Sequence, residues 1–266
     1  MTVKLVTKEK IAETSSKGNQ EKWYDKETDR WYKLDQFGYE ALSETLISKL
    51  LEKSNIDKDT PFTFVRYEME KICAHGRERT GCSSQNFSEG YSIITVNHLL
   101  SRHLGSPLKN KLENLTSDKK RIEYLAEKTK EVTGLEHFPQ YLTLLFEIDA
   151  MFLNDDRHLN NIAVLEKDGK YDYCPIFDNG AGLLSDIQMS PMDIEPKGLI
   201  RSLTARPFGT TFNRQKNMAE SLYGKQLVMP KFAKKEILEE LEPLLEYYPE
   251  RDRGLIADRI IATCFG

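Results

Sequence analysis

The chain has 266 residues, of which 39% are hydrophobic and 30% are charged, a composition that excludes an intrinsically disordered protein. Its formal net charge of −4 gives no support to direct nucleic-acid binding, because that function requires a basic surface. No run approaches the roughly 18 apolar residues of a membrane span, and the polar N-terminus and the lack of a Cys-x-x-Cys pair predict a cytoplasmic protein with reduced thiols.

The predicted elements begin with a β-hairpin and a helix. Strand-like residues 23–24 and 30–34 flank a polar turn, which is typical of a hairpin. Leucines that recur every four residues predict a helix over 39–53. A second pair of strands is predicted to start at Pro61, where the side chains alternate, and to turn at residues 75–77.

The middle of the chain is mainly helical and leads into another hairpin. A strongly apolar helix is expected over residues 141–152. Residues 162–165 and 171–177 are strand-like and enclose an Asp168-Gly169 turn, which indicates a β-hairpin. The predicted hairpin therefore follows the apolar helix after one short loop.

A long loop and two helices are predicted for the rest of the chain. Gly, Pro and Ser are frequent over 179–215, which favours irregular structure. Apolar stripes predict helices near 231–247 and 252–264. Together the elements predict an α+β fold with two lobes, a small β-rich lobe over 1–86 and a mainly helical lobe over 87–266.

Three polar residues bracket the second hairpin. Asp156 and Asn161 lie on the loop before its first strand, and Asp178 follows its second strand. Because a hairpin brings its ends together, Asn161 and Asp178 are predicted to converge, and their oxygens are ligands that suit Mg²⁺. Asp156 is placed to accept the proton of an attacking hydroxyl. The order predicts phosphoryl transfer from ATP, although the Asp-Asn-Gly triplet alone is also typical of a plain turn.

The N-terminal lobe offers residues for the rest of a nucleotide site. Lys33 ends a strand and precedes the helix that carries Glu40 and Glu44, and kinases fix phosphates with a strand lysine held by a helix glutamate. A polar turn upstream is suited to present backbone N–H groups to phosphates, although it is neither a Gly-x-Gly-x-x-Gly loop nor a Walker A motif. The residues of that turn are Ser15, Ser16, Lys17 and Gly18.

These residues resemble the HipA-like serine/threonine kinases of bacteria, which are distantly related to phosphoinositide 3-kinases and eukaryotic protein kinases. Residues 156–161 are similar to the Asp-x-His-x-x-Asn catalytic loop of that family, and Asp178 stands where its metal-binding Asp is expected. Residues 15–22 are similar to its Ser-x-x-Gly-x-Gln-Glu-Lys loop. The helix from Glu40 resembles its Glu-bearing helix, and residues 82–87 are expected to deliver the hinge that meets adenine.

The resemblance implies a kinase-like fold, ATP and Mg²⁺ as cofactors, and a role for each matched residue. Asp156 is implied as the catalytic base, with His158 beside it in the catalytic loop, and Asn161 and Asp178 are implied as the metal ligands. The residues implied to hold ATP are Lys33, Glu40, Ser16, Lys17, Gly18 and Gln85.

The resemblance also implies regulation and partners. Members of the family autophosphorylate on a loop serine, so Ser15 or Ser16 is implied as the target. A protein substrate is expected, and an antitoxin or accessory protein is a further implied partner. The extra N-terminal subdomain of HipA toxins does not fit before Ser15, so the length is closer to that of the cell-translocating kinases in the same group.

Three other functions stay open at this point. A lipid or small-molecule kinase is favoured slightly by the Asp-Arg-His form of the loop and by the basic residues of segment 197–216. A nucleotide-binding pseudokinase would serve as an interaction module, but it should lack a lysine, base or metal ligand, and none is missing. A metal-binding structural protein is disfavoured because the sequence has no paired Cys/His spacing.

Overall fold

The computed structural model describes residues 3–6 and 20–265, so the predicted phosphate loop at residues 15–18 lies outside the described residues. Its N-terminal region contains a five-stranded sheet. The strands are β1 (Val3–Val6), β2 (Lys22–Asp25), β3 (Arg30–Leu34), β4 (Glu68–Ala74) and β5 (Arg77–Gln85). Their order is β1-β4-β5-β3-β2, with β1 parallel to β4 and the other pairs antiparallel.

The first predicted hairpin is confirmed, and its register places two lysines side by side. Lys22 lies directly opposite Lys33 on β2 and β3. Opposite residues of an antiparallel pair project from the same face, so both side chains leave the sheet together. On the other face, Trp23 stacks on Tyr32 with ring centroids 5.4 Å apart.

The predicted helix over 39–53 is confirmed as α1 (Glu40–Leu51). All of its residues except Lys49 are buried. Burial all round is typical of a helix enclosed on every side rather than laid on a surface. The acidic side chains of α1 are therefore held inside the protein, where a buried carboxylate needs partners.

The predicted strand from Pro61 is wrong in its position, because β4 begins only at Glu68. Residues 62–67 make a single bridge, between Phe64 and Ile176, and their apolar side chains are buried in the main core. Phe62 packs edge-on against Tyr141, with centroids 5.4 Å apart. The alternation in this segment therefore reflects packing against the helical region and not a strand ladder.

The C-terminal region combines a small sheet with helices. The three strands are β6 (Ser92–Thr95), β7 (Ala163–Lys167) and β8 (Lys170–Tyr173), and they pair in that order. A short helix, α2 (Ile56–Asp59), precedes β4 in the N-terminal region, and the first helices of the C-terminal region are α3 (Val96–Leu104), α4 (Leu108–Glu113), α5 (Asp118–Thr133) and α6 (Phe138–Phe152). The later helices are α7 (Pro196–Ser202), α8 (Phe212–Tyr223), α9 (Lys234–Leu245) and α10 (Glu250–Phe265).

Most of the predicted C-terminal elements are confirmed. The apolar helix is α6, the second hairpin is β7–β8, although β8 ends at Tyr173 and not at residue 177 as predicted, and the last two helices are α9 and α10. The predicted loop over 179–215 is wrong in part, because it contains α7 and the start of α8. Each of these helices starts at a local signal, a proline in the first turn of α7 and the Thr211 cap of α8.

The α+β fold class is confirmed by the strand-rich N-terminal region and the helical remainder. The exact lobe boundary at residues 86 and 87 stays a prediction. Within the part of the chain that the structure describes, no helix is long and apolar enough to cross a membrane.

Candidate active site

A buried arginine organises the loop between α6 and β7. Arg157 is fully buried, and its Nε donates to both carboxylate oxygens of Asp149 on α6, at 3.1 and 3.2 Å. Burial raises the pKa of Asp149 to about 6, and the neighbouring guanidinium opposes that rise. Neither residue was predicted as part of the site, although Arg157 lies inside the catalytic-loop motif.

The same arginine draws the two ends of the hairpin together. Its Nη1 donates to the carbonyl oxygens of Asn161, at 3.2 Å, and of Phe177, at 2.7 Å. Its Nη2 donates to Oδ1 of Asn179 at 2.7 Å. Because one nitrogen atom binds the carbonyls of Asn161 and Phe177, the backbone at residue 161 lies close to the backbone next to Asp178, and the convergence of the two side chains on a metal stays a prediction.

Asp178 adopts an unusual backbone conformation at this point. Its φ of +63° lies in the left-handed region, which costs a residue with a side chain about 1–3 kcal/mol unless the surroundings hold it. The side chain of Asn154 holds it here, because Nδ2 donates to the carbonyl of Asp178 at 3.2 Å and to Asp149 at 3.1 Å. The strained backbone therefore rests on the same buried network as Arg157.

Lys33 forms the centre of the site's charge network. Its Nζ lies 2.6 Å from Oε1 of Glu44 and 2.7 Å from Oδ1 of Asp178, and the three side chains are 12%, 1% and 26% exposed. Burial alone would raise the pKa of Asp178, but Lys33 holds it well below its usual range. Burial raises the pKa of Glu44, and Lys33 opposes that rise. An ionised Asp178 is therefore stabilised between strand and helix.

Of the two glutamates that the sequence offered as the partner of Lys33, Glu44 occupies that place, and the implied contact of Glu40 with ATP stays a prediction. The carboxylate of Glu40 instead accepts hydrogen bonds from the backbone N–H of Phe37 at 2.6 Å and of Gly38 at 3.0 Å. Glu40 lies in the first turn of α1, where free N–H groups attract a carboxylate. Glu44 lies one turn further on, where its side chain reaches β3.

Helix α1 also contacts the Asp-Asn-Gly segment directly. The second carboxylate oxygen of Glu44 accepts from the backbone N–H of Asn179 at 2.8 Å, and Ser43 Oγ donates to the carbonyls of Asn179 and Gly182. A Cβ added at Gly180 would lie 3.4 Å from Glu44, so the segment passes the helix closely. The helix therefore fixes the position of Asp178 as well as that of Lys33.

Asp156 lies at the exposed edge of this network. Its side chain is 63% exposed, and its Oδ1 lies 3.9 Å from Nε2 of His158. Burial raises the pKa of Asp156, while His158 lowers it and Asp178 raises it further. A carboxylate with a raised pKa at a solvent-facing edge is suited to accept a proton from an incoming hydroxyl. Burial also raises the pKa of neighbouring Asp155, to about 6.

Lys22 is a site residue that was not predicted individually. It projects from the same face as Lys33, and burial lowers its pKa while the charge of Asp178 opposes that effect. Its signal was present in the sequence, because it is the last residue of the Ser-x-x-Gly-x-Gln-Glu-Lys motif. Two lysines on one face give a cationic surface suited to phosphate oxygens.

The donor set fits Mg²⁺. Asp178 supplies an ionised carboxylate, and Asn161 donates through Nδ2 to the carbonyl of Asp156 at 2.9 Å, which leaves its amide oxygen as an acceptor. Among the described residues, no group of three His, Cys, Asp or Glu side chains could hold a metal alone. Mg²⁺ is commonly bound by one or two protein oxygens together with substrate phosphates, so this set suits a metal that arrives with a nucleotide.

The remaining predicted nucleotide contacts are less defined. Gln85 is the last residue of β5, lies exposed and pairs in register with Arg30, so its adenine contact stays a prediction. The residues predicted to cover the phosphates lie outside the described residues; they are Ser15, Ser16, Lys17 and Gly18.

Comparison with known proteins places this geometry in a known fold. The sequence matches no family model and no curated protein. Among solved structures, the proinflammatory kinase CtkA of Helicobacter pylori superposes with a TM-score of 0.62 at 12% identity, covering 94% of this chain and 88% of that one.

A second similar structure is HipA of Shewanella oneidensis MR-1, which was solved in a toxin–antitoxin complex with HipB and its operator DNA. It superposes with a TM-score of 0.54 at 12% identity over 94% of this chain. This chain spans only 64% of that HipA chain. At these identities the likeness concerns the fold, and the chain therefore has the HipA-like kinase fold that its motifs predicted.

Proposed function

We propose that the protein is an ATP- and Mg²⁺-dependent serine/threonine protein kinase. The observation that carries the proposal is the placement of Lys33, whose Nζ binds both Glu44 and Asp178 beside the Asp156 loop. Protein kinases need the Lys–Glu pair and the metal-binding Asp in place together. A pseudokinase is not favoured, because the residues proposed as the lysine, the base and the metal ligands all occur in the sequence, as Lys33, Asp156, Asn161 and Asp178.

Each residue has a role in transfer to a hydroxyl. Lys33 and Lys22 bind phosphate oxygens, and Asn161 and Asp178 hold Mg²⁺, which supplies charge neutralisation on the phosphates when bound. The hydroxyl oxygen of the substrate forms a bond to the γ-phosphorus, and the bond from that phosphorus to the oxygen that bridges to the β-phosphate breaks. Asp156 takes up the proton that the hydroxyl loses. The raised pKa of Asp156 favours this proton transfer, because it makes the carboxylate a stronger base.

The proposal is tested by incubating the purified protein with labelled ATP, Mg²⁺ and a generic protein acceptor. We expect label with the wild type and with the control Asp168→Asn, which changes an exposed residue of the β7–β8 turn. Asp156→Asn should lose on the order of 10²-fold or more of the rate, and Asp178→Asn should lose metal-dependent transfer. Equal labelling by all four proteins would overturn the proposed roles.

Autophosphorylation of Ser15 or Ser16 belongs to the same proposal. A phosphate there adds about −1.5 to −2 charges beside the nucleotide phosphates, so it should weaken ATP binding. Mass spectrometry after incubation with ATP locates the modified residue. If the double variant Ser15→Ala, Ser16→Ala is phosphorylated and inhibited to the same extent as the wild type, this mode of regulation is excluded.

A second candidate function is transfer to an anionic lipid or small molecule. Arg206 is exposed and close enough to lower the pKa of Asp155 and Asp156, and no carboxylate among the described residues pairs with it. The basic segment includes Lys197, Arg201, Arg206, Arg214 and Lys216. Labelling of phosphoinositide vesicles but of no protein acceptor, with loss in Arg206→Gln, would favour this function over the first.

The partners and the compartment are proposals as well. We propose a cytoplasmic protein that acts on a protein substrate, with an antitoxin or accessory protein as a further partner. The similar HipA chain was solved with HipB, which motivates the search for such a protein. Co-purification of the wild type under native conditions, followed by mass spectrometry, tests the proposal, and a protein isolated alone at every salt concentration would contradict a stable partner.

A further inference from the structure

The turn between α9 and α10 lies against the N-terminal sheet. The carbonyl oxygen of Tyr247 accepts hydrogen bonds from Nζ of Lys71 on β4, at 2.7 Å, and from Oγ1 of Thr80 on β5, at 2.8 Å. Two donors from adjacent strands on one acceptor fix the turn to the sheet. The last two helices therefore contact the region that carries Lys33.

The next residue, Tyr248, reaches the start of α1 through one intermediary. Its hydroxyl donates to Oδ2 of Asp35 at 2.7 Å, and Oδ1 of Asp35 accepts from the backbone N–H of Ala41 at 2.6 Å. Tyr248 is only 8% exposed, so the contact is sheltered from water. A side-chain oxygen that accepts from a first-turn N–H stabilises a helix start, and burial raises the pKa of Asp35 well above its usual range.

Asp35 links the two residues that form the catalytic ion pair. It follows Lys33 by two positions on the chain, and it holds the first turn of α1, whose next turn carries Glu44. The far end of α1 is held by α9, because Glu240 lies 3.2 Å from Nζ of Lys49 and 3.0 Å from Nζ of Lys53. The turn between α9 and α10 therefore reaches the start of α1 through Asp35, and α9 contacts its far end.

Helix α10 holds the other side of the site. Arg259 is 2% exposed, and its guanidinium donates to backbone carbonyls of the segment that follows Asp178. Nη1 lies 2.6 Å from the carbonyl of Ser190, and Nη2 donates to the carbonyl of Pro191. No carboxylate of the described chain forms an ion pair with Arg259, so this buried charge is matched by the carbonyl dipoles of that loop, and it also interacts with Tyr39. The loop therefore fixes the position of Arg259, and Arg259 fixes the position of the loop.

We propose that α9 and α10 brace the active site from both sides, with Tyr248 and Arg259 as positioning residues. Tyr248 acts through Asp35 on the Lys33–Glu44 pair, and Arg259 acts through residues 184–194 on Asp178. The inference rests on the proposed function, since the braced residues are the proposed catalytic ones. If Tyr248 and Arg259 are only structural, their substitution should lower the free energy of unfolding and leave kcat unchanged. If they are positioning residues, their substitution should loosen the start of α1 or the loop after Asp178 and lower kcat while the overall fold is kept.

The first test compares Tyr248→Phe with the adjacent control Tyr247→Phe. Tyr247 contacts the sheet through its carbonyl, which the control retains, while Tyr248→Phe removes only the hydroxyl on Asp35. Hydrogen exchange of the first-turn amides of α1 should be about tenfold faster in Tyr248→Phe, and kcat should fall about five- to tenfold with little change in KM for the acceptor. The control should match the wild type in both. Equal exchange in the two variants would overturn the brace.

A double-mutant cycle separates positioning from general destabilisation. If Tyr248 acts through Asp35, then adding Tyr248→Phe to the Asp35→Asn variant should lower kcat by less than about a further twofold. Independent structural roles would instead multiply the two losses, which would refute the mechanism. If Tyr248→Phe does not fold, Asp35→Asn alone is compared with Tyr247→Phe by the same exchange measurement.

The role of Arg259 is tested by hydrogen exchange of the loop that it contacts. Arg259→Lys keeps the charge but loses the fork of donors, so exchange over residues 184–194 should be about tenfold faster. The control Arg251→Lys changes an exposed arginine of the same helix and should have no effect. Hydrogen exchange can be measured without catalytic turnover. If the wild type does not transfer phosphate, the proposed function is wrong, but the exchange rates still show whether Tyr248 and Arg259 hold the two segments in place.

Discussion

At the scale of single residues, one helical turn separates two different uses of a carboxylate. Glu40 accepts backbone N–H groups at the start of α1, and Glu44 pairs with Lys33. The sequence places both acids on the same face four residues apart, so the pattern alone leaves the choice open. Only the folded structure shows that Glu44, and not Glu40, lies within ion-pair distance of Lys33 on β3.

The two glutamates should therefore respond differently to the same substitution. Glu44→Gln removes the charge beside Lys33, so kcat/KM should fall about tenfold or more, which corresponds to about 1.4 kcal/mol. Glu40→Gln keeps one acceptor oxygen and replaces the other by a donor, so one of the two backbone hydrogen bonds is lost and the free energy of unfolding should fall by about 0.5–1.5 kcal/mol. Steady-state kinetics and urea unfolding measure the two effects, and a larger kinetic loss in Glu40→Gln would contradict the assignment.

The histidine of the catalytic loop should set part of the pH dependence. Burial raises the pKa of Asp156 and the charge of His158 lowers it, so His158→Gln should raise that pKa further. A base with a higher pKa is protonated at higher pH, and the acid limb of the kcat/KM profile should move to higher pH. Rates from about pH 5 to about pH 8 test this, and a limb that moves to lower pH would be inconsistent with the pairing.

At the scale of elements, the site depends on how one loop is joined to its neighbours. Arg157 connects the loop to α6 through Asp149 and to the end of the hairpin through the carbonyls of Asn161 and Phe177. A lysine has no planar fork of donors, so it cannot make these contacts together. The pairing of β7 with β8 brings the segments at their open ends together, and Arg157 fixes those segments to each other and to α6.

Removing the guanidinium of Arg157 should lower the free energy of unfolding. Arg157→Met leaves the carboxylate of Asp149 buried without its partner, and removal of one member of a buried ion pair costs about 3–5 kcal/mol. The double variant Arg157→Met, Asp149→Leu should recover part of that stability but not the activity, because the hairpin contacts stay lost. Urea unfolding and kinase assays distinguish the two, and recovery of activity in the double variant would contradict the role of Arg157 in the site.

Local patterns predicted the elements better than they predicted how the elements meet. The β7–β8 hairpin and α6 were readable because a hairpin turn and an apolar helix are encoded by neighbouring residues. Residues 62–67 were assigned to a strand because the same alternation also serves core packing. The choice of Glu44 and the contact of Tyr248 with Asp35 depend on distant segments, so no local pattern encodes them.

At the scale of the whole molecule, one buried carboxylate joins α6 to the segment that leads into α9. Glu147 is 4% exposed and accepts from the backbone N–H of Leu227 at 2.7 Å and of Gln226 at 3.0 Å. Asn55 binds the same segment from the other side, through the carbonyl of Gln226 at 3.0 Å. Burial raises the pKa of Glu147 to about 7, and neighbouring Glu220 adds to the rise.

This carboxylate should make stability depend on pH with a definite sign. Between its ordinary pKa of 4.5 and about 7, the folded state keeps a proton that the unfolded state loses, so stability should fall as pH rises through that window. Glu147→Gln should lose less stability than the wild type over the same range, and exposed Glu239→Gln should behave as the wild type. Urea unfolding at several pH values measures the slopes, and equal slopes in all three would contradict the shifted pKa.

The contacts of the last helices also bear on how the protein is made. Tyr248 and Asp35 are 213 residues apart along the chain, and Lys71 and Tyr247 are 176 apart. Segments fold in order of synthesis, and contacts across such separations form late. In a growing chain, the turn between α9 and α10 therefore reaches Asp35 and Lys71 only after the segments that carry Lys33, Asp156 and Asp178 have been synthesised.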